Sequence, residues 1–271
     1  MRAIYIFFIL IVLFTGCKKL VYYPDKTIPV ETTRILAHRG GGNAQFRDNT
    51  LAGIKSALRW KDGIEVDVQL SKNGTVWLSH SSEVVACDQT FRCFAETPDD
   101  DIKSITSCNG QDISYTQLED VFRFIRDSFP DKQVSLDIKP WGVCGINSVD
   151  VEGTMRYEGE NILNLAKQYN LEGNIKFETE TASVLGYIQS KTTKAEIYLT
   201  AFGDFELAMV RCLKEKYTGI SYKNNDGEML TKEKIDLLHR KGLRIMVWNL
   251  ASSDEIPELT QMGVDYIQQD L

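Results

Sequence analysis

The chain has no excess of positive charge: 31 Lys and Arg stand against 38 Asp and Glu, a formal net charge of -7. Affinity for a phosphate backbone rests on clustered Lys and Arg, so nucleic acid is excluded as a partner and the substrate is expected to be small. No Cys-x-x-Cys is present and no cysteine has a histidine nearby, which leaves a zinc site or a catalytic thiol without support. No Gly-x-Gly-x-x-Gly opens a helix after a strand, which argues against a dinucleotide fold. Histidine is rare, with three in 271 residues. Of the residues, 43% are apolar and 25% charged, and that balance suits one large globular domain rather than a disordered chain.

No apolar run is long enough to cross a bilayer as a mature helix; the longest, Ile4 to Phe14, follows Arg2 and reads as the core of a signal peptide. It ends in Leu13-Phe14-Thr15-Gly16-Cys17, small residues before a cysteine, as in a bacterial lipobox. Residues 1–17 are therefore expected to be a lipoprotein signal with Cys17 as the lipidated residue, 18–33 a tether and 34–271 the folded domain. An exported bacterial lipoprotein on the periplasmic or cell-surface side of a membrane follows; the alternative is a plain secretory signal with an incidental cysteine. In an oxidising compartment a disulfide among Cys87, Cys93 and Cys108 is expected, and the odd count formed with Cys144 and Cys212 leaves at least one thiol unpaired.

From Arg34 onward, short β-branched runs alternate with amphipathic stretches. Strands are expected at Ile35 to His38, Ile64 to Val68, Val76 to His80, Val134 to Ile138, Asn174 to Phe177, Glu196 to Leu199, Gly219 to Tyr222, Arg244 to Trp248 and Val264 to Ile267. Helices are expected at Thr50 to Trp60, Tyr115 to Asp127, Glu158 to Tyr169, Thr181 to Lys191, Phe205 to Lys216, Thr231 to Lys241 and Ser253 to Met262. This alternation matches an α/β fold of (β/α)8 barrel type. It is irregular between the second and third strands, where Gln69 to Thr75 has room for a turn but no helix, leaving open a hairpin or an extended segment returning outside the barrel. Ser81 to Ser114 lacks helical or strand period and reads as a long loop insertion after the third strand.

His38 and His80 each close an expected strand, the place where barrel active sites form, whereas His239 lies on a helix and reads as a surface residue. Glu65 and Asp67, two apart on one strand, face the same way. Two carboxylates pointing into a barrel repel unless a cation or a basic partner lies between them, and oxygen-only ligands favour Ca2+ or Mg2+ over zinc. Asp137 and Lys139 repeat the spacing, offering a third carboxylate and a cation for a substrate anion. Arg39 has the planar fork suited to phosphate oxygens. A cation site, two imidazoles, an Arg and a Lys are together what phosphodiester cleavage needs, one imidazole taking a proton from the nucleophile and the other protonating the leaving alkoxide.

His38-Arg39-Gly40, Asp48-Asn49-Thr50, Glu65-Val66-Asp67, Asn73-Gly74 and His80-Ser81 fall in the order and spacing of the glycerophosphodiester phosphodiesterase family, which the chain resembles from Ile35 to its C-terminus. Leu136-Asp137-Ile138-Lys139, Val247-Trp248-Asn249 and Gly263 to Ile267 continue the resemblance. It implies His38 and His80 as acid and base, Glu65, Asp67 and Asp137 as ligands of one divalent cation, Arg39 and Lys139 as phosphate contacts, and Trp248 in the substrate pocket. It implies a small glycerophosphodiester as substrate. Three positions depart from the family pattern: Asp48 and Asp137 stand where it has Glu, and Ser81 where it has Asp. A phospholipase C or D of the same barrel type, and a lipoprotein that only binds a phosphate or headgroup, are the alternative functions.

Overall fold

A computed structural model describes residues 23–87, 90–139, 150–225 and 227–271. The signal segment, Cys17, the first part of the tether and Cys144 lie outside the described residues. Eight strands run parallel: β1 (Arg34–Ala37), β2 (Gly63–Leu70), β3 (Gln133–Ile138), β4 (Ile175–Thr179), β5 (Glu196–Ala201), β6 (Gly219–Lys223), β7 (Arg244–Trp248) and β8 (Tyr266–Gln269). Each pairs with the next, and β8 pairs with β1 through Tyr266 and Arg34, so the sheet closes into the expected barrel. Gly63 is required where β2 starts: a Cβ there would lie 2.2 Å from the Gln133 carbonyl oxygen.

Among the described residues seven helices cover the outside: α1 (Leu51–Ala57), α2 (Leu118–Ser128), α3 (Val151–Gln168), α4 (Ala182–Gln189), α5 (Phe205–Glu215), α6 (Lys232–Arg240) and α7 (Glu255–Met262). The Thr50, Asp150, Asp204 and Thr231 side chains each accept a backbone N–H in the first turn of the helix that follows, satisfying donors that the helix leaves open. Strand alternation separates two environments. In β2, Ile64, Val66, Val68 and Leu70 belong to the apolar layer shared with the helices. Glu65, Asp67 and Gln69, equally buried, face the barrel interior.

Three expectations are corrected. Val76 to His80 is not a barrel strand. Val76–Leu78 runs antiparallel to Val68–Leu70 and pairs on its other side with Thr116–Gln117, so the hairpin option holds: β2 overshoots the barrel rim, turns at Ser71–Gly74, and comes back. The insertion is not structureless. It holds strand pairs Glu83–Val85 with Phe91–Cys93 and Ser107–Cys108 with Gln111–Asp112, and a short helix Asp99–Ser104, each too brief to leave a period in sequence. Trp77, Val84, Phe94 and Ile102 form its own small core, and Cys87 is bonded to Cys108. Cys93 is disulfide-bonded as well, while Cys212 is a free, buried thiol. Finally, His239 is buried, 3% exposed, with its Nε2 2.9 Å from Asp265 Oδ2. The chain from Tyr23 to Thr33 lies over the end of α6, with the Ile28 N–H donating to the His239 carbonyl. That distant strap encloses a helix end that sequence alone leaves on the surface.

Candidate active site

The mouth at the C-terminal ends of the strands holds a cavity of about 660 Å³ lined by His38, Arg39, Glu65, His80, Asp137, Lys139 and, on the opposite wall, Phe202, Lys223 and Trp248. Oxygens of Glu65, Asp67 and Asp137 lie within 4.8 Å of one another. β2 and β3 place them, Asp67 being directly opposite Asp137 in the register. Burial, and then the Asp67 charge, push the Glu65 carboxyl up to about 8. Burial likewise raises Asp137 to about 7 although Lys139 opposes it. Asp67 remains below the ordinary carboxylate range: burial works to raise it, but Lys139 and the Asn49 amide outweigh burial. The Asn49 side chain donates to Asp67 Oδ2 at 2.9 Å and accepts the Asp67 N–H at 3.2 Å. Lys139 Nζ lies 2.9 Å from Asp67 Oδ1 and donates to Asp137 as well. Three all-oxygen donors, Glu65 and Asp67 buried and Asp137 half-buried, two of them with carboxyls raised to near or above neutrality by burial and mutual repulsion, fit a hard divalent cation.

His38 opens a tight turn after β1. In that turn Arg39 takes left-handed backbone angles (φ 49°, ψ 36°), a strained conformation of the kind functional sites retain. The turn directs the Arg39 N–H at Glu65 Oε2, 2.8 Å away. Gly40 is needed beside it: its φ is +69°, and a Cβ would lie 2.6 Å from Ile54 Cγ1. The Arg39 guanidinium reaches Asp48 at 3.3 Å and Asp67 at 3.6 Å.

The two histidines are tuned in opposite directions. Burial works to lower the His38 pKa, yet the hydrogen bond to Asp270 (Nδ1 to Oδ1 2.6 Å) and the Glu65 charge 3.7 Å from Nε2 outweigh it, raising the imidazole to about 9. For His80 burial wins, and its pKa falls below the ordinary value. His80 reaches the mouth on the returning hairpin arm, where the Ser79 N–H donates to the Asp67 carbonyl.

All the residues expected from sequence at the site, Trp248 included, converge on this cavity or its floor. Sequence reasoning missed three others. Asp270, just past β8, partners His38. Glu178 of β4 accepts from Ser135, Ser221 and Gln268 beneath the carboxylates, with Gln268 Nε2 2.8 and 3.0 Å from its two oxygens. Asn49 orients Asp67. The Glu178 signal was present in Lys176-Phe177-Glu178-Thr179-Glu180, the same alternation that marked Glu65 and Asp67.

A family model described as the glycerophosphoryl diester phosphodiesterase family matches residues 38–270. An uncharacterized protein of Bacillus subtilis, YqiK, is 30% identical over 155 residues, a match spanning 54% of this chain and 58% of YqiK. A glycerophosphodiester phosphodiesterase of Caldanaerobacter subterraneus is 24% identical over 250 residues, covering 88% of this chain and 94% of its own. Among solved structures, a glycerophosphodiester phosphodiesterase of Parabacteroides distasonis superposes with a TM-score of 0.71 at 18% identity, covering 90% of this chain and 94% of that one. A phosphodiesterase of Oleispira antarctica in complex with the product sn-glycerol-3-phosphate superposes with a TM-score of 0.71 at 16% identity, covering 88% and 92%.

Proposed function

The chain belongs to the glycerophosphoryl diester phosphodiesterase family and is a phosphodiesterase, and we propose that it hydrolyses small glycerophosphodiesters to glycerol phosphate and an alcohol by two-histidine acid–base catalysis. The observation that carries this reading is the opposed tuning of His38 and His80 across one cavity. An imidazole held cationic by Asp270 is ready to give a proton, and one kept neutral by burial is ready to take one. In this assignment His80 removes the proton from the attacking water and His38 protonates the leaving alkoxide. A divalent cation, Ca2+ or Mg2+, held by Glu65, Asp67 and Asp137 would supply charge compensation and Lewis acidity at the phosphate. Arg39 and Lys139, already beside those carboxylates, offer donors to the phosphate oxygens, and Trp248 with Phe202, edge to face at 5.7 Å, walls the side of the pocket where the organic part would lie.

The Asp at 137 in place of Glu shortens that ligand's reach, which the register with Asp67 accommodates by setting the two side by side. A protein that only bound a phosphate would have no use for an acid–base pair. Export as a lipoprotein anchored through Cys17 is part of the same proposal and rests on the Leu13 to Cys17 sequence. The test is the His38→Ala and His80→Ala variants on glycerophosphocholine: turnover should fall by about 10²–10⁴-fold with the fold retained. If both stay active, the acid–base assignment is wrong.

A further inference from the structure

The strap that precedes β1 fixes where the N-terminal segment leaves the barrel. Lys241 Nζ donates to the Tyr23 carbonyl at 2.6 Å and pairs with Asp25 at 2.7 Å. The Lys26 N–H donates to the Arg240 carbonyl at 2.8 Å, and Thr33 Oγ1 to the Val264 carbonyl at 2.6 Å. Arg240, Lys241 and Val264 all lie where helices end and strands begin. The strap therefore crosses the N-terminal end of the barrel, opposite the mouth. From Tyr23 back to Cys17 the chain covers at most about 20 Å even when fully extended. The eight residues of β2 alone, tilted by about 36° as barrel strands are, rise about 21 Å toward the mouth.

The same end presents a membrane-compatible surface. Trp60, in the connection between α1 and β2, is 84% exposed, and Val30 of the strap is 59% exposed, which leaves two large apolar side chains at this end free to enter an apolar phase. Arg59 flanks Trp60, and across the same end of the barrel the connections before β5 and β6 expose Lys191, Lys194 and Lys216, in a chain whose net charge is -7. An indole and cations on one end of the barrel suit the headgroup level of an anionic bilayer.

Resting on the reading that Cys17 carries a lipid anchor, we propose that the N-terminal end of the barrel, through Trp60 and the cations spread over that end, docks on the phospholipid surface that holds the anchor, with the catalytic mouth turned to the aqueous side. The enzyme then draws on dissolved, deacylated phosphodiesters; lipids of its own bilayer are out of reach of the pocket.

The experiment uses the full chain made in a bacterial host and purified with its acyl groups. Incorporation of an alkyne fatty acid, abolished by Cys17→Ser, establishes the anchor. A polarity-sensitive fluorophore is placed at Trp60→Cys or at Met229→Cys, which is 81% exposed on the connection between β6 and α6 at the mouth end. The labelled proteins are then reconstituted in phosphatidylethanolamine–phosphatidylglycerol vesicles carrying nitroxide-labelled lipid. The expected result is quenching of at least ~2-fold at residue 60 and none at 229, with glycerophosphocholine turnover equal in the vesicle-bound chain and the soluble Cys17→Ser chain. Quenching at 229, or at neither position in an acylated chain, overturns the orientation while leaving the anchor in place. Absence of acylation overturns the anchor reading and the orientation with it.

Discussion

Adding a divalent cation to the metal-free enzyme should expel protons, in a number set by the carboxylate cluster. Glu65 is raised to about 8 and Asp137 to about 7, while Asp67 is already ionised beside Lys139. Ligands bind a cation in their deprotonated form. At pH 6.5 the two raised groups together hold about 1.7 protons that binding must release, and at pH 9 less than about 0.5. Apparent affinity therefore climbs with pH, by about 25-fold between pH 6.5 and 7.5. Titration calorimetry of Mg2+ or Ca2+ into EDTA-stripped protein, repeated in buffers of different ionisation enthalpy, counts the protons directly. Release of no protons at pH 6.5, or an affinity independent of pH across that interval, would refute the picture of three clustered carboxylates that cannot all be charged without a cation.

The same groups fix the pH dependence of stability. Because Glu65 and Asp137 bind protons more tightly folded than unfolded, the metal-free protein should lose stability as pH rises from about 4 to 8, and thermal unfolding in EDTA at pH 5.5 and pH 8 should give the lower Tm at pH 8. His38 adds to this above pH 6.5, its cationic form being lost as pH rises through about 9. Asp270→Asn removes the partner that most raises His38, so the alkaline limb of the pH–rate profile should move down by about one pH unit; an unmoved limb would sever Asp270 from the general acid. Glu178→Leu leaves the Ser135, Ser221 and Gln268 donors facing an apolar group under the site and should cost about 1–3 kcal/mol in urea unfolding. Gly40→Ala combines a left-handed φ with a clash at Ile54 and should cost at least ~1 kcal/mol while displacing Arg39.

What the sequence displayed was whatever depends on local alternation. Glu65 with Asp67, and Asp137 with Lys139, share strand faces because side chains alternate, and closing the barrel brought both pairs to one point. His80 was placed at the mouth for an incomplete reason: it arrives there on an antiparallel arm returning from beyond the rim, not at the top of a parallel strand. What was illegible depended on contacts across the chain. His38 finds Asp270 only after β8 closes against β1, across 232 positions. His239 is buried by the strap around Ile28 and by Asp265, neither visible from the helix that carries it. The insertion was read as loop because its strands have two or three residues each; its order comes from the Cys87–Cys108 bond and from Asp99, which accepts from Ser71, Thr75 and Trp77 and so ties the insertion to the hairpin that leads to His80.

The claim on which the account depends is that Glu65, Asp67 and Asp137 hold a cation the reaction requires, and its most direct test is release of glycerol 3-phosphate from glycerophosphocholine by the purified protein in EDTA, before and after Ca2+ or Mg2+ is restored. Turnover should be lost on chelation and return with the cation, and Asp67→Asn should prevent the return. Full turnover in EDTA would contradict it.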